Sequence, residues 1–147
     1  MSDSAQLATH ATVSDAMLPT PTIHPASALV AEVRALLVDD HVHMALLVER
    51  ARLVATVERE DLPSPDLDRV LARSIGVLTG RTVRPEAPLH AVEDAMRRRA
   101  RRRLAVVDER GELVGLLCLK ASGRGFCSSE DVRQRRGHSK HTRWSAA

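Results

Sequence analysis

The chain has 147 residues, 44% of them hydrophobic and 28% charged, with one Phe, one Trp and no Tyr. That length suits one compact body with an aliphatic core. The composition offers almost no aromatic platform for stacking single-stranded bases, and no run of about 20 apolar residues that could span a membrane.

Charge is unevenly spread. Residues 1–62 carry four Arg against nine Asp/Glu, whereas residues 63–147 carry eighteen Lys/Arg against ten Asp/Glu. Such asymmetry suits either an anionic partner at one end or attraction between the two halves. The start, Met1-Ser2-Asp3-Ser4-Ala5-Gln6, lacks the basic-then-apolar order of a secretory signal. Two cysteines make no disulfide scaffold. The expectation is a soluble cytoplasmic protein.

In chain order, residues 1–12 are small and polar, which predicts a disordered N-terminal arm. Val13 to Leu18 form a short helical turn capped by Ser14 or Asp15. Pro21 and Pro25 bias the residues before them to extended backbone, so Thr20–Ile23 is not helical. Ser27 is the expected cap of a helix whose stripe is Leu29, Val30, Val33, Leu36 and Leu37. Strands follow at Ala45–Val48 and Leu53–Val57, joined by the polar Glu49-Arg50-Ala51-Arg52. Ser64-Pro65 opens a predicted linker helix over 63–75, with Leu67, Val70, Leu71 and Ile75 on one face.

The order then returns. Thr82-Val83-Arg84-Pro85 leads to a helix striped by Leu89, Val92 and Met96, then to strands Leu104–Val107 and Leu113–Leu117 around Asp108-Glu109-Arg110-Gly111-Glu112. Thr22 corresponds to Thr82, Pro25 to Pro85, Leu29 to Leu89 and Leu53 to Leu113. A repeat of this size is one supersecondary unit that needs its copy to cover an apolar face, and a pseudo-twofold pair creates clefts. Beyond Leu119 the apolar period decays, and 123–147 reads as a basic tail in which Val132 could end a short helix.

Val13-Ser14-Asp15-Ala16-Met17 resembles the opening V-x-D-x-M of the CBS-domain family. Leu104-Ala105-Val106-Val107-Asp108 resembles its L-P-V-V-D strand, and Leu53 to Leu62 resembles its closing L-V-G-h-V-T-x-x-D-L. The resemblance covers roughly residues 13–120. It implies an α+β tandem pair of βαββα repeats (a Bateman module), with repeat 1 at 13–62 and repeat 2 at 76–122. It further implies a regulatory, often dimeric module that binds AMP, ADP, ATP or S-adenosylmethionine as a regulatory ligand, with no catalytic cofactor.

Under the same resemblance, Asp61 matches the aspartate that accepts from ribose hydroxyls, and a carboxylate suits two vicinal donors. The simpler role for Asp61 is a helix N-cap. Thr22, Ile23, Ala45 and Thr82 match the segments that offer contacts to the base, and Arg102 or Arg103 could meet phosphate. Glu58 stands where the family prefers Thr or Ser, where it would repel phosphate, and in the second copy Cys118 and Ala121 replace Thr and Asp. At most one cleft therefore fits the usual pattern.

Arg97-Arg98-Arg99-Ala100-Arg101-Arg102-Arg103 is the strongest charge run. It complements a helix C-terminus, binds a ligand phosphate or acidic protein, or meets nucleic acid, the last being disfavoured. His41 and His43 beside Asp39 and Asp40, with Cys118, Cys127, His138 and His141 downstream, match no standard zinc spacing, so no metal site is expected. Cys118 reads as a small buried hydrophobe. No nucleophile, metalloprotease or phosphate-loop motif occurs, and no enzymatic activity is expected. The alternative to a sensor is a ligand-free homodimeric scaffold that meets an anionic partner through the arginine run or tail.

Overall fold

The computed structural model describes residues 11–122 and 125–127. Of the expected arm over 1–12 and tail over 123–147, residues 1–10, 123–124 and 128–147, with Val132, His138 and His141, lie outside them. Ala11 and Thr12 are not an arm but pair with the second repeat at Leu89 and Pro88.

The elements run α1 (Val13–Ala16), β1 (His24–Pro25), α2 (Val30–Leu36), β2 (Ala45–Glu49), β3 (Arg52–Val57), β4 (Thr82–Val83), α3 (Leu89–Arg98), β5 (Arg103–Val107) and β6 (Leu113–Cys118). Short 3-10 turns lie between β3 and β4. The strands form two three-stranded sheets, β1-β2-β3 and β4-β5-β6, each a short parallel strand beside an antiparallel hairpin. The duplicated sequence thus becomes a duplicated β-α-β-β unit.

Strand alternation divides the core into three layers. Ala45 and Leu47 face Val30, Val33, Leu36 and Leu37 of the first helical layer. Leu104 and Val106 face Val13, Met96 and Leu117 in the second. The alternate residues, Leu46 and Leu53 from one sheet and Ala105 from the other, pack together in a middle cluster with Met44. The hairpin tips also join, with Leu53 N–H donating to Gly111 O at 3.0 Å and Leu113 N–H to Ala51 O at 2.9 Å.

Each core is completed by chain from the other side of the sequence. Residues 11–18 serve the second repeat: Leu89 N–H donates to Ala11 O, Val13 N–H to Ala87 O, and Leu18 pairs with Leu116. Residues 68–77 serve the first in the same manner: Val30 N–H donates to Val70 O, Ala31 N–H to Asp68 O, and Thr56 pairs with Val77. The crossings are tight. A Cβ on Gly115 would lie 2.5 Å from Met17 Sδ and 2.9 Å from Leu18 O, and one on Gly76 would lie 2.5 Å from Ala55 Cβ.

These bonds explain where the structure departs from the sequence expectations. The linker 63–75 is not a helix but two 3-10 turns, Pro65–Leu67 and Ala72–Ser74. Leu62 and Ser64 precede prolines and are extended, while the carbonyls of Asp68 and Val70 are spent on the first N–H groups of α2. Helix α2 accordingly begins at Val30 rather than after Ser27, and the Glu32 carboxylate accepts from Leu29 N–H at 2.7 Å. Thr12, not Ser14 or Asp15, is the N-cap of α1, with Asp15 accepting from its N–H at 2.8 Å. Ser64 does cap as expected, but a 3-10 turn.

The sequence places everything after 122 in a tail, yet residues 125–127 return to β6. Lys120 N–H donates to Gly125 O, Cys127 N–H donates to Cys118 O, and Phe126 packs against the second core. Cys118 and Cys127 are joined as a disulfide with Cα atoms 5.4 Å apart. Cys118 is buried, as a small hydrophobe would be, but it is covalently paired. The two cysteines are nine positions apart, so the bridge closes a short return rather than stapling a scaffold. Among the described residues no helix is long and apolar enough to cross a membrane.

Candidate functional site

The end of β3 delivers the acidic side chains. Beyond Val57 the chain makes a 3-10 turn over Arg59–Asp61, and the Asp61 carboxylate caps it by accepting from Glu58 N–H at 2.7 Å. Glu58 and Asp61 therefore lie side by side, facing the second repeat.

Two arginines from that repeat meet them. Leu78 to Arg81 form a turn closed by Arg81 N–H donating to Leu78 O, with Gly80 in the left-handed region at φ +76°. This brings the Arg81 guanidinium onto Asp61. Nη2 donates to Oδ1 at 2.9 Å and Nη1 donates to Oδ2. Nη1 also lies 3.5 Å from Thr56 Oγ1, which itself donates to Val77 O.

The second arginine comes from the end of α3. Arg101 N–H donates to Met96 O at 2.8 Å and Ala100 N–H to Arg97 O at 3.1 Å, a Schellman turn in which Ala100 takes the left-handed conformation (φ +54°) usually left to glycine. The turn reverses the chain and lays Arg101 on Glu58, with Nη1–Oε2 at 2.6 Å and Nη2–Oε1 at 3.4 Å. Arg81 Nη2 approaches the same carboxylate at 3.5 Å.

The side chains of Arg81, Glu58 and Asp61 are only 9%, 10% and 11% exposed. Burial pushes the Glu58 carboxyl up, against the pull of Arg101. Burial acts on Asp61 in the same sense, but hydrogen bonds from Arg81 and from Glu58 N–H outweigh it and hold that carboxyl below its usual value. The bond to Asp61 in turn raises Arg81.

Beside this cluster lies a cavity of about 240 Å³, walled by Thr82, Val83, Val92, Met96 and Leu104, with Arg99 and Arg101 among its lining residues. The cavity is lined by second-repeat residues, and Arg101, which belongs to both features, links it to the ion cluster at the seam of the repeats. Arg99 is exposed and has no ion pair among the described residues.

Of the residues singled out in the sequence, Glu58 and Asp61 lie in the cluster and Thr82 lines the cavity. Ala45 is buried in the first core and Ile23 is 44% exposed; Thr22 is half-buried just before β1. Neither Arg102 nor Arg103 lines the cavity. Arg102 donates to Leu119 O at 3.3 Å, and buried Arg103 lies 3.5 Å from Arg102 O. Arg97 and Arg98 pair with Glu93 and Asp94 one turn back on α3. The helix face therefore absorbs two of the six arginines. His41 Nδ1 lies 3.4 Å from Asp39 Oδ1, and no group of three or more His, Cys, Asp or Glu among the described residues is placed to hold a metal ion.

The sequence reading missed Arg81 altogether, and named Arg99 and Arg101 only as members of the run. The available signal was the opposite charge of the two halves. An acidic end of repeat 1 faces basic entry and helix-exit segments of repeat 2.

Residues 75–121 match the CBS domain family model. The structure is similar to an AMP-complexed CBS domain protein from Pyrobaculum aerophilum (28% identity, 87% of this chain and 99% of that one, TM-score 0.59). It is also similar to CBSX2 in complex with AMP (22% identity, 87% and 97%, TM-score 0.61) and to the ATP-complexed cytosolic domain of the Mg2+ channel MgtE (23% identity, 75% and 46%, TM-score 0.61). No curated protein matches the sequence.

Proposed function

We propose, on the premise that this is a CBS-domain protein built as a tandem pair, that it is a cytoplasmic regulatory module binding one adenosine-type ligand at the seam of its repeats. One observation carries this reading: the cavity combines apolar walls at Val83, Val92, Met96 and Leu104 with two arginines, Arg99 and Arg101. Apolar walls with a few placed polar groups suit a flat base attached to an anion. At about 240 Å³ the cavity is below the usual ~300–1,000 Å³ of ligand pockets. The base would fill it, with sugar and phosphate outside near the arginines. The AMP and ATP complexes of similar structures support the ligand class.

Asp61 holds a more conditional role. Both of its oxygens already accept from Arg81. Ribose binding there exchanges a guanidinium hydrogen bond for hydroxyl ones. Ligand binding would then act as a population shift, closing the seam and reorienting the repeats.

A second reading has its own observation. Because Glu58 and Asp61 are already neutralised by Arg101 and Arg81, the seam is electrostatically complete without a ligand, as a dimeric scaffold would require. Exposed Leu67, Val70 and Leu71 on the linker are the apolar surface a second copy would cover; sedimentation velocity that shows only monomer removes the dimer.

Calorimetric titration with AMP, ADP, ATP and S-adenosylmethionine separates the readings. A sensor binds at least one, and Asp61→Ala and Arg101→Gln weaken it. No heat and no thermal shift with any of the four leaves the scaffold.

A further inference from the structure

The Glu58 carboxylate sits where a ligand anion would be expected to sit. It is gripped from two sides by Arg101 at 2.6 and 3.4 Å and by Arg81 at 3.5 Å, with a tenth of its side chain exposed. Both arginines belong to the second repeat and converge on a carboxylate of the first. We propose that Arg81 and Arg101 form an anion site whose resting occupant is the protein's own Glu58, so that an incoming phosphate competes with a side chain as well as with water.

Guanidinium forks receive carboxylate and phosphate with the same paired N–H geometry, which lets one replace the other without rebuilding the site. The charge balance points the same way. Two arginines and two carboxylates are neutral together, and removing Glu58 from the pairing leaves one positive charge in excess between Arg81, 9% exposed, and Arg101, 22% exposed. A buried unpaired cation recruits an anion. Asp61 does not release in the same way, since its bonds to Arg81 are joined by one from Glu58 N–H.

Arg101 follows the Schellman turn directly and is also a lining residue of the cavity, so the residue that grips Glu58 borders the space a ligand would enter. Arg99, exposed on the same cavity and without an ion pair among the described residues, is placed to share the anion. The expected repulsion of phosphate by Glu58 thus becomes competition for the same arginines. Burial already disfavours the charged form of this carboxylate, which lowers the cost of displacing it.

The inference rests on the sensor reading only for the anion it expects, so the test uses pyrophosphate, AMP and uncharged adenosine as separate probes. The full chain is compared with Glu58→Gln, Glu58→Thr and Glu58→Gln/Arg101→Gln by calorimetry at low ionic strength, after circular dichroism melts confirm folding. Glu58→Thr supplies a smaller hydroxyl should the glutamine variant not fold. Both single variants are expected to bind pyrophosphate at least tenfold more tightly than wild type, and the double variant to lose that gain. Equal pyrophosphate affinity in wild type and single variants, or no binding by any, overturns the proposal. A gain for pyrophosphate without adenosine or AMP binding keeps the anion site and removes the adenosyl reading. AMP binding that is equal in wild type and Glu58→Gln, with no pyrophosphate gain, does the reverse.

Discussion

Replacing Arg81 by methionine tests whether the seam is held by a buried ion cluster. The side chain is 9% exposed and serves two carboxylates that are 10% and 11% exposed. Methionine keeps the stem's volume and removes the charge, leaving Asp61 with its bond from Glu58 N–H and Glu58 with Arg101 alone. Breaking a buried pair from one side costs ~3–5 kcal/mol, because the remaining charge stays desolvated. Against a usual total of ~5–15 kcal/mol this is a large fraction. Urea unfolding at pH 7, followed by circular dichroism, reads it directly. In the Arg81→Met background, Asp61→Asn removes the stranded charge and should return part of the loss, a coupling of ~1–3 kcal/mol between residues in contact. A loss below about 1 kcal/mol for Arg81→Met, the range of exposed pairs, would refute the buried cluster.

Other consequences follow from the same packing. Asp61 has a lowered carboxyl pKa in the native protein, so its contribution is present above its ordinary value and is lost as pH falls through the native one. The melting difference between wild type and Asp61→Asn should therefore be widest near neutrality and close as pH falls below the ordinary carboxylate range. Gly115→Ala should destabilise by ~1–3 kcal/mol, since its Cβ would stand 2.9 Å from Leu18 O; a neutral melt would mean that residues 17–18 do not cross there. Reduction of Cys118–Cys127, nine positions apart, should cost ~2–3 kcal/mol by loop entropy, checked by melts with and without a dithiol reductant.

How much of this was legible in the sequence differs by level. The duplicated strands and helices follow from local patterns: alternation at Leu46 and Leu47, and the 3.6 period of Leu89, Val92 and Met96. The linker was not legible, because the pattern Leu67, Val70, Leu71, Ile75 matches a helix while the carbonyls of Asp68 and Val70 are taken by α2. Tertiary bonds overrode a local period. Residues 11–18 and 68–77 each complete the core of the repeat they do not lead into, an exchange that sequence spacing does not record.

The site was half legible. Glu58 and Asp61 stood out against the second copy, and the asymmetry of charge allowed for attraction between the halves. What the residues could not reveal was the direction of each arginine. The Schellman turn at Ala100 sends Arg101, and not Arg102 or Arg103, across the seam, and the Gly80 turn sends Arg81. Both depend on backbone conformation. Cys118 and Cys127, nine positions apart, are brought together by a chain return whose turn signals, Ser122-Gly123 and Gly125, read equally well as the start of a tail.

A crystal structure of the chain grown with AMP tests the central claim most directly. The account predicts the base in the cavity between β4 and α3 and the phosphate on Arg101 and Arg81 in the place of the Glu58 carboxylate, with Arg99 within reach. AMP bound elsewhere, or bound with the Arg101–Glu58 pair intact and no arginine on its phosphate, would contradict it.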